Sequence, residues 1–112
     1  MINISKVALI KGDGIGPEVI DAAVKISETA LNFSQEGKIE WIECLAGKAA
    51  IEKGVVNGLP EQTIQTILQT KVALKGPLET PIGFGFPSAN ALLRKTFSTF
   101  GNIRPVRGWK GL

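Results

Sequence analysis

The feature that most constrains the fold is a short apolar run followed at once by a glycine turn and an amphipathic segment. Residues 6–10 read KVALI, and such runs are typical of strands buried on both faces of a parallel sheet. Glycines at positions 12, 14 and 16 form the turn, and Pro17 suits the first position of a helix. The inner face of that helix is predicted to hold Val19, Ala22, Ala23, Ile26 and Ala30.

The glycine spacing is G-x-G-x-G, whereas dinucleotide-binding turns have G-x-G-x-x-G. We therefore interpret these glycines as turn geometry, with phosphate binding as the minor alternative.

The rest of the chain repeats this alternation of strand and helix. Residues 39–45 predict a second strand, 46–53 a short helix that ends at Gly54, and 72–74 a third strand after a helix that opens at Pro60. Strands that alternate with helices indicate an α/β fold of three layers, in which helices flank a mainly parallel sheet. We interpret residues 1–112 as a single α/β unit, incomplete as a fold of this class.

Composition excludes several classes of protein. Apolar residues make up 44% and charged residues 21% of the 112, as is usual for a soluble globular chain. No segment approaches the ~20 apolar residues of a membrane span, and the start lacks a signal-peptide pattern, so a cytoplasmic location is expected. The net charge of +3 is spread along the chain, which argues against nucleic-acid binding. The sequence has no histidine and no cluster with metal-ligand spacing, and its single cysteine, Cys44, suits a buried strand.

Residues 75–105 combine a loop rich in glycine and proline with a helix that carries polar groups. Ser88 is placed to cap this helix. Asn90 and Arg94 are four apart and share a face, and a second arginine, Arg104, follows the helix. The apolar stripe of Leu93, Phe97 and Phe100 is predicted to pack inward, with the polar face turned away from the core. A helix N-terminus with two guanidinium groups suits a ligand with several carboxylates.

The simpler interpretation is that the two arginines are a solvated face and that Ser88 is only a cap. The ordered loop before the helix favours a site, because loops of this length and composition in compact domains are usually functional. Its position also favours one, because ligands of parallel sheets lie beyond the carboxyl ends of the strands. A further strand, or the start of one, is predicted over residues 102–106, and it would carry Arg104 back toward the loop.

The same residues carry a family resemblance. The run KGPLETPIGFGFPSANALLRKTFSTFGNIRP resembles the substrate-binding signature of the β-decarboxylating dehydrogenases, above all of NAD-linked isocitrate dehydrogenases. The run KVALIKGDGIGPEV is similar to the opening strand and turn of that family. The resemblance covers essentially the whole chain and corresponds to the N-terminal third of a family member.

This resemblance implies roles for particular residues. Ser88, Asn90, Arg94 and Arg104 fall on positions that bind the carboxylates of the substrate. Thr80 falls on a position that touches both the substrate and the nicotinamide end of the cofactor, and Glu79 lies at the cofactor's edge. Isopropylmalate dehydrogenases carry leucine where this chain has Asn90, and the amide favours isocitrate.

The implied reaction is oxidation of isocitrate by NAD and decarboxylation to 2-oxoglutarate, assisted by Mg²⁺ or Mn²⁺. Glu79 favours NAD, with NADP as the alternative. The family's catalytic tyrosine, catalytic lysine and metal-binding aspartates have no counterpart here, and the sequence has no tyrosine, so we expect the chain alone to be inactive. Complete family members are expected to form homodimers or larger assemblies.

Two other functions stay open. The chain could be a non-catalytic module that binds polycarboxylates or docks on an intact relative as a regulatory partner, or it could belong to a 3-isopropylmalate dehydrogenase. Unpaired strand edges and uncovered apolar faces are an aggregation hazard. We therefore expect the isolated chain to be marginally stable or to self-associate.

Overall fold

Three parallel strands form the centre of the protein, whose computed structural model describes residues 2–79 and 87–112. They are β1 (Ile4–Ile10), β2 (Lys38–Glu43) and β3 (Ala73–Lys75), in the order β2-β1-β3. Val7 lies opposite Trp41 on one side of β1, and Leu9 lies opposite Leu74 on the other. The predicted fold class, a parallel sheet flanked by helices, is confirmed.

Four helices connect and follow these strands within the described residues. They are α1 (Gly16–Ser34), α2 (Lys48–Glu52), α3 (Glu61–Thr70) and α4 (Ala89–Thr96). Pro17 lies in the first turn of α1, where its missing N–H leaves no helix hydrogen bond unmade. Glu61 lies in the first turn of α3, where its negative charge interacts favourably with the helix dipole. None of these helices combines the length and apolar character needed to cross a membrane.

The two connections between strands run in opposite directions across the sheet. The chain passes from β1 to β2 through α1, and returns from β2 past β1 to β3 through α2 and α3. Because parallel crossovers are right-handed, α1 and α3 lie on opposite faces. Ala8, Leu9 and Ile10 in β1 are all buried, as expected of a strand covered on both faces.

The main apolar cluster lies where the strands end. Ile10, Ala46 and Leu59 form its buried centre, and Ile64, Ile67, Leu92 and Leu93 pack against it. Helices α3 and α4 therefore share one face of the sheet, at the end where a binding site is expected.

The predicted inner face of α1 is wrong at four of its five positions and right at Ala23. Ile20 is buried and Ala23, Val24, Ser27 and Leu31 are half-buried, whereas Val19, Ala22, Ile26 and Ala30 are exposed. Both sets have helical spacing, because α1 carries apolar residues on two sides. Periodicity alone could not choose between these sides, and contact with β2 decides the rotation of the helix.

Two predictions for the residues after α4 are also wrong. The helix ends at Thr96, Ser98 has a left-handed φ of 50°, and Phe100 is fully exposed. The inward stripe therefore stops at Phe97, because the helix that would carry it further has ended. Residues 102–106 do not form the predicted strand.

Candidate functional site

A cavity of about 520 Å³ lies between α3, β3 and α4. One wall is apolar and includes Ile67, Leu68, Leu93 and Phe97, and the polar side chains of the lining are neutral or basic. The other lining residues are Ile10, Lys71, Ala73, Lys75, Asn90, Arg94 and Thr99. Because none of these residues is acidic and several are basic, the cavity favours an anion.

Helix α4 presents both kinds of side chain to the cavity. Ser88 caps the helix by accepting a hydrogen bond from the Ala91 N–H at 3.1 Å, which confirms its predicted structural role. Asn90 and Arg94 lie on either side of Leu93 along the same face. The prediction that the polar face of α4 turns away from the core is wrong. Asn90 lies three residues before Leu93, and Arg94 three residues before Phe97. Because residues at this spacing are neighbours on a helix, polar and apolar side chains of α4 line the same cavity.

The amide of Asn90 contains a buried polar atom without a partner. Among the described residues, no group donates a hydrogen bond to its Oδ1. A buried acceptor left in this state costs about 1–3 kcal/mol. A half-turn of the amide would put Nδ2 at the same place as a donor. Asn90 can therefore serve either a hydroxyl or a carboxylate of a ligand.

Lys75 lines the cavity beside Arg94 and was not among the predicted site residues. Its Nζ donates to the Gly76 carbonyl at 2.7 Å. Burial, and secondly the positive charge of Arg94, lower the pKa of Lys75 from its ordinary value. An anion between these two cations would relieve their repulsion. The sequence signal was the position of Lys75 at the carboxyl end of a strand, where ligands of parallel sheets are expected.

Arg104 lies apart from Asn90 and Arg94. It is in an exposed segment, where its Nε donates to Asn102 Oδ1 at 3.3 Å, and it is not among the residues that line the cavity. Thr80 lies outside the described residues. The structure therefore brings together Asn90 and Arg94 with Lys75, and leaves Arg104 away from them.

Glu79, predicted at the cofactor's edge, is held close to the glycine turn. Its N–H donates to the Asp13 carboxylate at 2.9 Å, and its own carboxylate lies 3.8 Å from Lys48 Nζ. Both groups of this ion pair are about half exposed, so the pair contributes little to stability. The position of Glu79 is fixed by its backbone.

Asp13 is the residue that sequence reasoning missed. It is 8% exposed, and its carboxylate accepts hydrogen bonds from the N–H groups of Lys48, Ala49 and Glu79, at 2.9, 3.2 and 2.9 Å. A Cβ at Gly47, whose φ is +72°, would lie 2.4 Å from Asp13 Oδ2. Asp13 thus accepts hydrogen bonds from the first N–H groups of α2 and from the segment after β3. It links the glycine turn to both of them.

Acidic, cysteine and histidine side chains do not gather into a metal site anywhere in residues 2–79 and 87–112. The part of the chain that the structure describes therefore does not fit a divalent ion by itself.

Comparisons with known proteins agree with this geometry. The sequence profile described as isocitrate/isopropylmalate dehydrogenase matches residues 6–112. The chain is 45% identical over 101 residues to "Isocitrate dehydrogenase [NADP]" of Thermus thermophilus, covering 90% of this chain and 19% of that protein. It is 42% identical over 108 residues to the protein of the same name in Staphylococcus epidermidis, covering 95% and 25%. The chain thus spans about a fifth to a quarter of the length of these relatives.

Solved structures give the same result. The isocitrate dehydrogenase of Methylococcus capsulatus superposes with a TM-score of 0.67 at 42% identity, over 80% of this chain and 25% of that one. A β-decarboxylating dehydrogenase of Thermococcus kodakarensis superposes with a TM-score of 0.68 at 29% identity, over 84% and 27%.

Proposed function

Because the chain belongs to the isocitrate/isopropylmalate dehydrogenase family, we propose that a protein containing it converts isocitrate to 2-oxoglutarate by oxidative decarboxylation. We propose that this chain contributes the segment that binds the substrate carboxylates. The observation that carries the proposal is the cavity in which Asn90, Arg94 and Lys75 meet, with no acidic residue among the described residues that line it.

In this reaction the substrate's secondary alcohol would lose a hydride to the nicotinamide, which supplies the oxidising power when it is bound, and its hydroxyl proton to a general base. The 3-oxo acid so formed would lose CO₂, and the enolate left behind would take up a proton to give 2-oxoglutarate. The residues of this chain would orient the substrate and balance its charge. Arg94 would donate two parallel hydrogen bonds to one carboxylate, and Lys75 would make a single contact with another. Asn90 would bind the hydroxyl or a third carboxylate.

Ser88 and Arg104 stay in the proposed substrate-binding set, and Thr80 stays in both the substrate and the cofactor set. The hydroxyl of Ser88 already accepts a hydrogen bond from α4, which leaves its proton free to donate to a ligand. Arg104 would reach the ligand only after a change in the residues that follow α4. A divalent ion would need ligands from outside the described residues, which do not offer a ligand set for one.

For the nicotinamide cofactor we propose NADP. The expectation of NAD rested on Glu79, whose side chain already has Lys48 as a partner. The relatives at 45% and 42% identity carry NADP in their names.

One observation favours a second candidate function. The apolar wall formed by Ile67, Leu93 and Phe97 would suit the branched tail of 3-isopropylmalate better than a third carboxylate. Asn90, on the same helix face, favours isocitrate. Binding to the two ligands can therefore be compared directly on this chain.

Titration calorimetry of the folded chain tests the proposal. We expect binding of isocitrate in preference to 3-isopropylmalate, and a loss of affinity of about tenfold or more in Arg94→Ala, since one charge-assisted carboxylate contact contributes ~1.5–3 kcal/mol. Lys95→Ala is the matched control, because Lys95 is the neighbouring exposed cation and does not line the cavity. We expect it to change affinity less than twofold.

Preference for isopropylmalate would favour the second function. A folded chain that binds neither ligand would contradict the proposed binding role, as would equal losses in Arg94→Ala and Lys95→Ala.

A further inference from the structure

Three loops meet at the carboxyl end of the sheet, and one carboxylate joins them. Asp13 follows β1, Lys48 follows β2 and Glu79 follows β3. The N–H groups of Lys48 and Glu79 both donate to Asp13 Oδ2, each at 2.9 Å. The Ala49 N–H donates to the other oxygen, Oδ1, at 3.2 Å. One oxygen atom therefore fixes the distance between two loops that are far apart in the chain, at the edge where ligands of parallel sheets lie.

The turn that carries Asp13 lies directly against the segment after β3. The Asp13 N–H donates to the Pro77 carbonyl at 2.7 Å. A Cβ at Gly12 would collide with that same carbonyl, and a Cβ at Gly14 would lie 3.0 Å from Glu79 Oε1. The turn therefore leaves room for residues 76–79 of the chain itself, which explains why glycine stands at both positions.

The side chains of Lys48 and Glu79 meet as a result, and we call them the Lys48–Glu79 pair. Glu79 Oε2 lies 3.8 Å from Lys48 Nζ, and both side chains are about half exposed, so a ligand can reach them. An exposed ion pair does not fix its own geometry, because solvent screens it and both side chains are flexible. The positions of the two side chains are therefore set by their backbones, which Asp13 holds.

We propose that Asp13 is a positioning residue of the cofactor site: its Oδ2 holds the Lys48–Glu79 pair in place, and cofactor affinity depends on this acceptor oxygen and not on the charge of Asp13. A ribose hydroxyl can donate to the Glu79 carboxylate, and a phosphate oxygen can accept from the Lys48 ammonium. The contact of the pair with a nicotinamide cofactor rests on the proposed function, whereas the positioning of the pair by Asp13 does not.

The surroundings of Asp13 favour the acceptor oxygen over the charge. Asp13 is 8% exposed, and a charge at such a depth needs hydrogen bonds or an opposite charge. Among the described residues, no lysine or arginine forms an ion pair with it. Asparagine supplies one oxygen of the same reach. Asp13→Asn can therefore keep the hydrogen bonds to Lys48 and Glu79, whereas Asp13→Ala loses both.

Amide hydrogen exchange on the whole 112-residue chain, followed by NMR without ligand, tests the positioning. The rate at the Glu79 N–H is compared with that at Gly76, whose N–H donates to the Ile10 carbonyl at 2.8 Å. We expect Asp13→Ala to speed exchange at Glu79, relative to Gly76, at least about tenfold. Asp13→Asn should keep this ratio within about threefold of the wild type, because it retains the acceptor.

Thr63→Val is the matched control for a general loss of stability. Thr63 is 2% exposed, and its hydroxyl donates to the Leu45 carbonyl at 2.6 Å. Valine keeps the shape and removes this buried hydrogen bond, so the variant should unfold at a lower urea concentration. It should leave both the exchange ratio at Glu79 and the affinity for NADPH unchanged.

Titration calorimetry with NADPH and with isocitrate tests the contact with the cofactor. We expect Asp13→Ala to lower the affinity for NADPH at least about fivefold, through the misplaced pair. It should change the affinity for isocitrate less than about twofold, because the residues that Asp13 holds do not line the cavity. Asp13→Asn should restore the NADPH affinity to within about twofold of the wild type although it lowers stability, which a merely structural role of Asp13 would not produce.

Each arm can overturn the proposal. An unchanged exchange ratio at Glu79 in folded Asp13→Ala would overturn the positioning. Loss of NADPH affinity in folded Asp13→Asn would show that the charge is needed and would overturn the proposal even if Asp13→Ala does not fold. A wild-type chain that binds isocitrate but not NADPH would overturn the cofactor contact and leave the proposed substrate role standing. A chain that binds neither would contradict the proposed function as well, while the ligand-free exchange would still support or overturn the positioning.

Discussion

The turn around Asp13 and the residues that follow α4, 99–107, differ in how far their side chains contact the rest of the chain. At the turn, a buried carboxylate is satisfied by backbone N–H groups of Lys48, Ala49 and Glu79. In residues 99–107, by contrast, Phe100, Ile103 and Val106 are exposed to water. The Asp13 region is held by hydrogen bonds, whereas the apolar side chains that follow α4 are exposed.

This contrast suggests where binding can change the structure. Both carboxylate oxygens of Asp13 already accept backbone hydrogen bonds, so a ligand there would compete with contacts that hold the turn. The cavity between α3, β3 and α4 has a buried amide oxygen without a described partner, several cations and an apolar wall. Segments with few buried contacts open and close at low free energy. We therefore expect the Asp13 region to carry stability and the α4 region to carry the response to ligand.

The largest effect is expected from Asp13→Asn. The amide keeps the shape but turns an NH₂ group toward a backbone donor, so a buried N–H group loses its acceptor. The amide keeps one oxygen, which can still serve Lys48 and Glu79 and leave only the Ala49 N–H without an acceptor. Because a buried unsatisfied group costs about 1–3 kcal/mol, we expect the free energy of unfolding to fall by about that amount. Urea unfolding followed by circular dichroism measures it.

Asp21→Asn is the matched control for this comparison. Asp21 is an exposed aspartate that pairs with Lys11 at 3.1 Å, and exposed ion pairs contribute about 0–1 kcal/mol. If both variants cost the same, the Asp13 region does not carry the stability that we assign to it.

A smaller effect is expected from Ser88→Ala in the α4 region. The variant loses the cap on Ala91, and a lost N-cap costs about 1 kcal/mol. We expect faster amide exchange within α4 and little change in β1. Ser88→Asp keeps an oxygen that can cap the helix but repels a carboxylate. It should therefore retain α4 and lose isocitrate affinity, which separates the structural role of Ser88 from its proposed binding role. Faster exchange spread evenly over both regions would contradict the separation.

Sequence patterns predicted those parts of the fold whose causes are local. Pro17 and Ser88 marked helix starts because their effects act within one turn, and apolar runs located the strands. Asp13 gave no such signal, since its partners lie 35 and 66 residues away. The rotation of α1 was missed because two of its sides are apolar. Asn90 and Arg94 were predicted to be neighbours, but only the packing of Leu93 shows that they border the cavity.

The smallest effect is expected at Lys75, where the two regions meet. Its folded-state pKa is lowered, by burial first and by Arg94 second, so the folded chain releases this proton at a lower pH than the unfolded chain. The charged ammonium is therefore a cost to the folded state at neutral pH. As pH rises between the lowered pKa and the ordinary value of 10.5, the unfolded state holds more protons and the free energy of unfolding rises. Lys75→Met should remove this rise, and Arg94→Gln should reduce it. Urea unfolding across that alkaline range, compared between wild type and Lys75→Met, measures the difference. A difference of the opposite sign, or none, would show that the folded chain does not disfavour the charged form of Lys75, and would count against the repulsion between Lys75 and Arg94 that a bound anion is proposed to relieve.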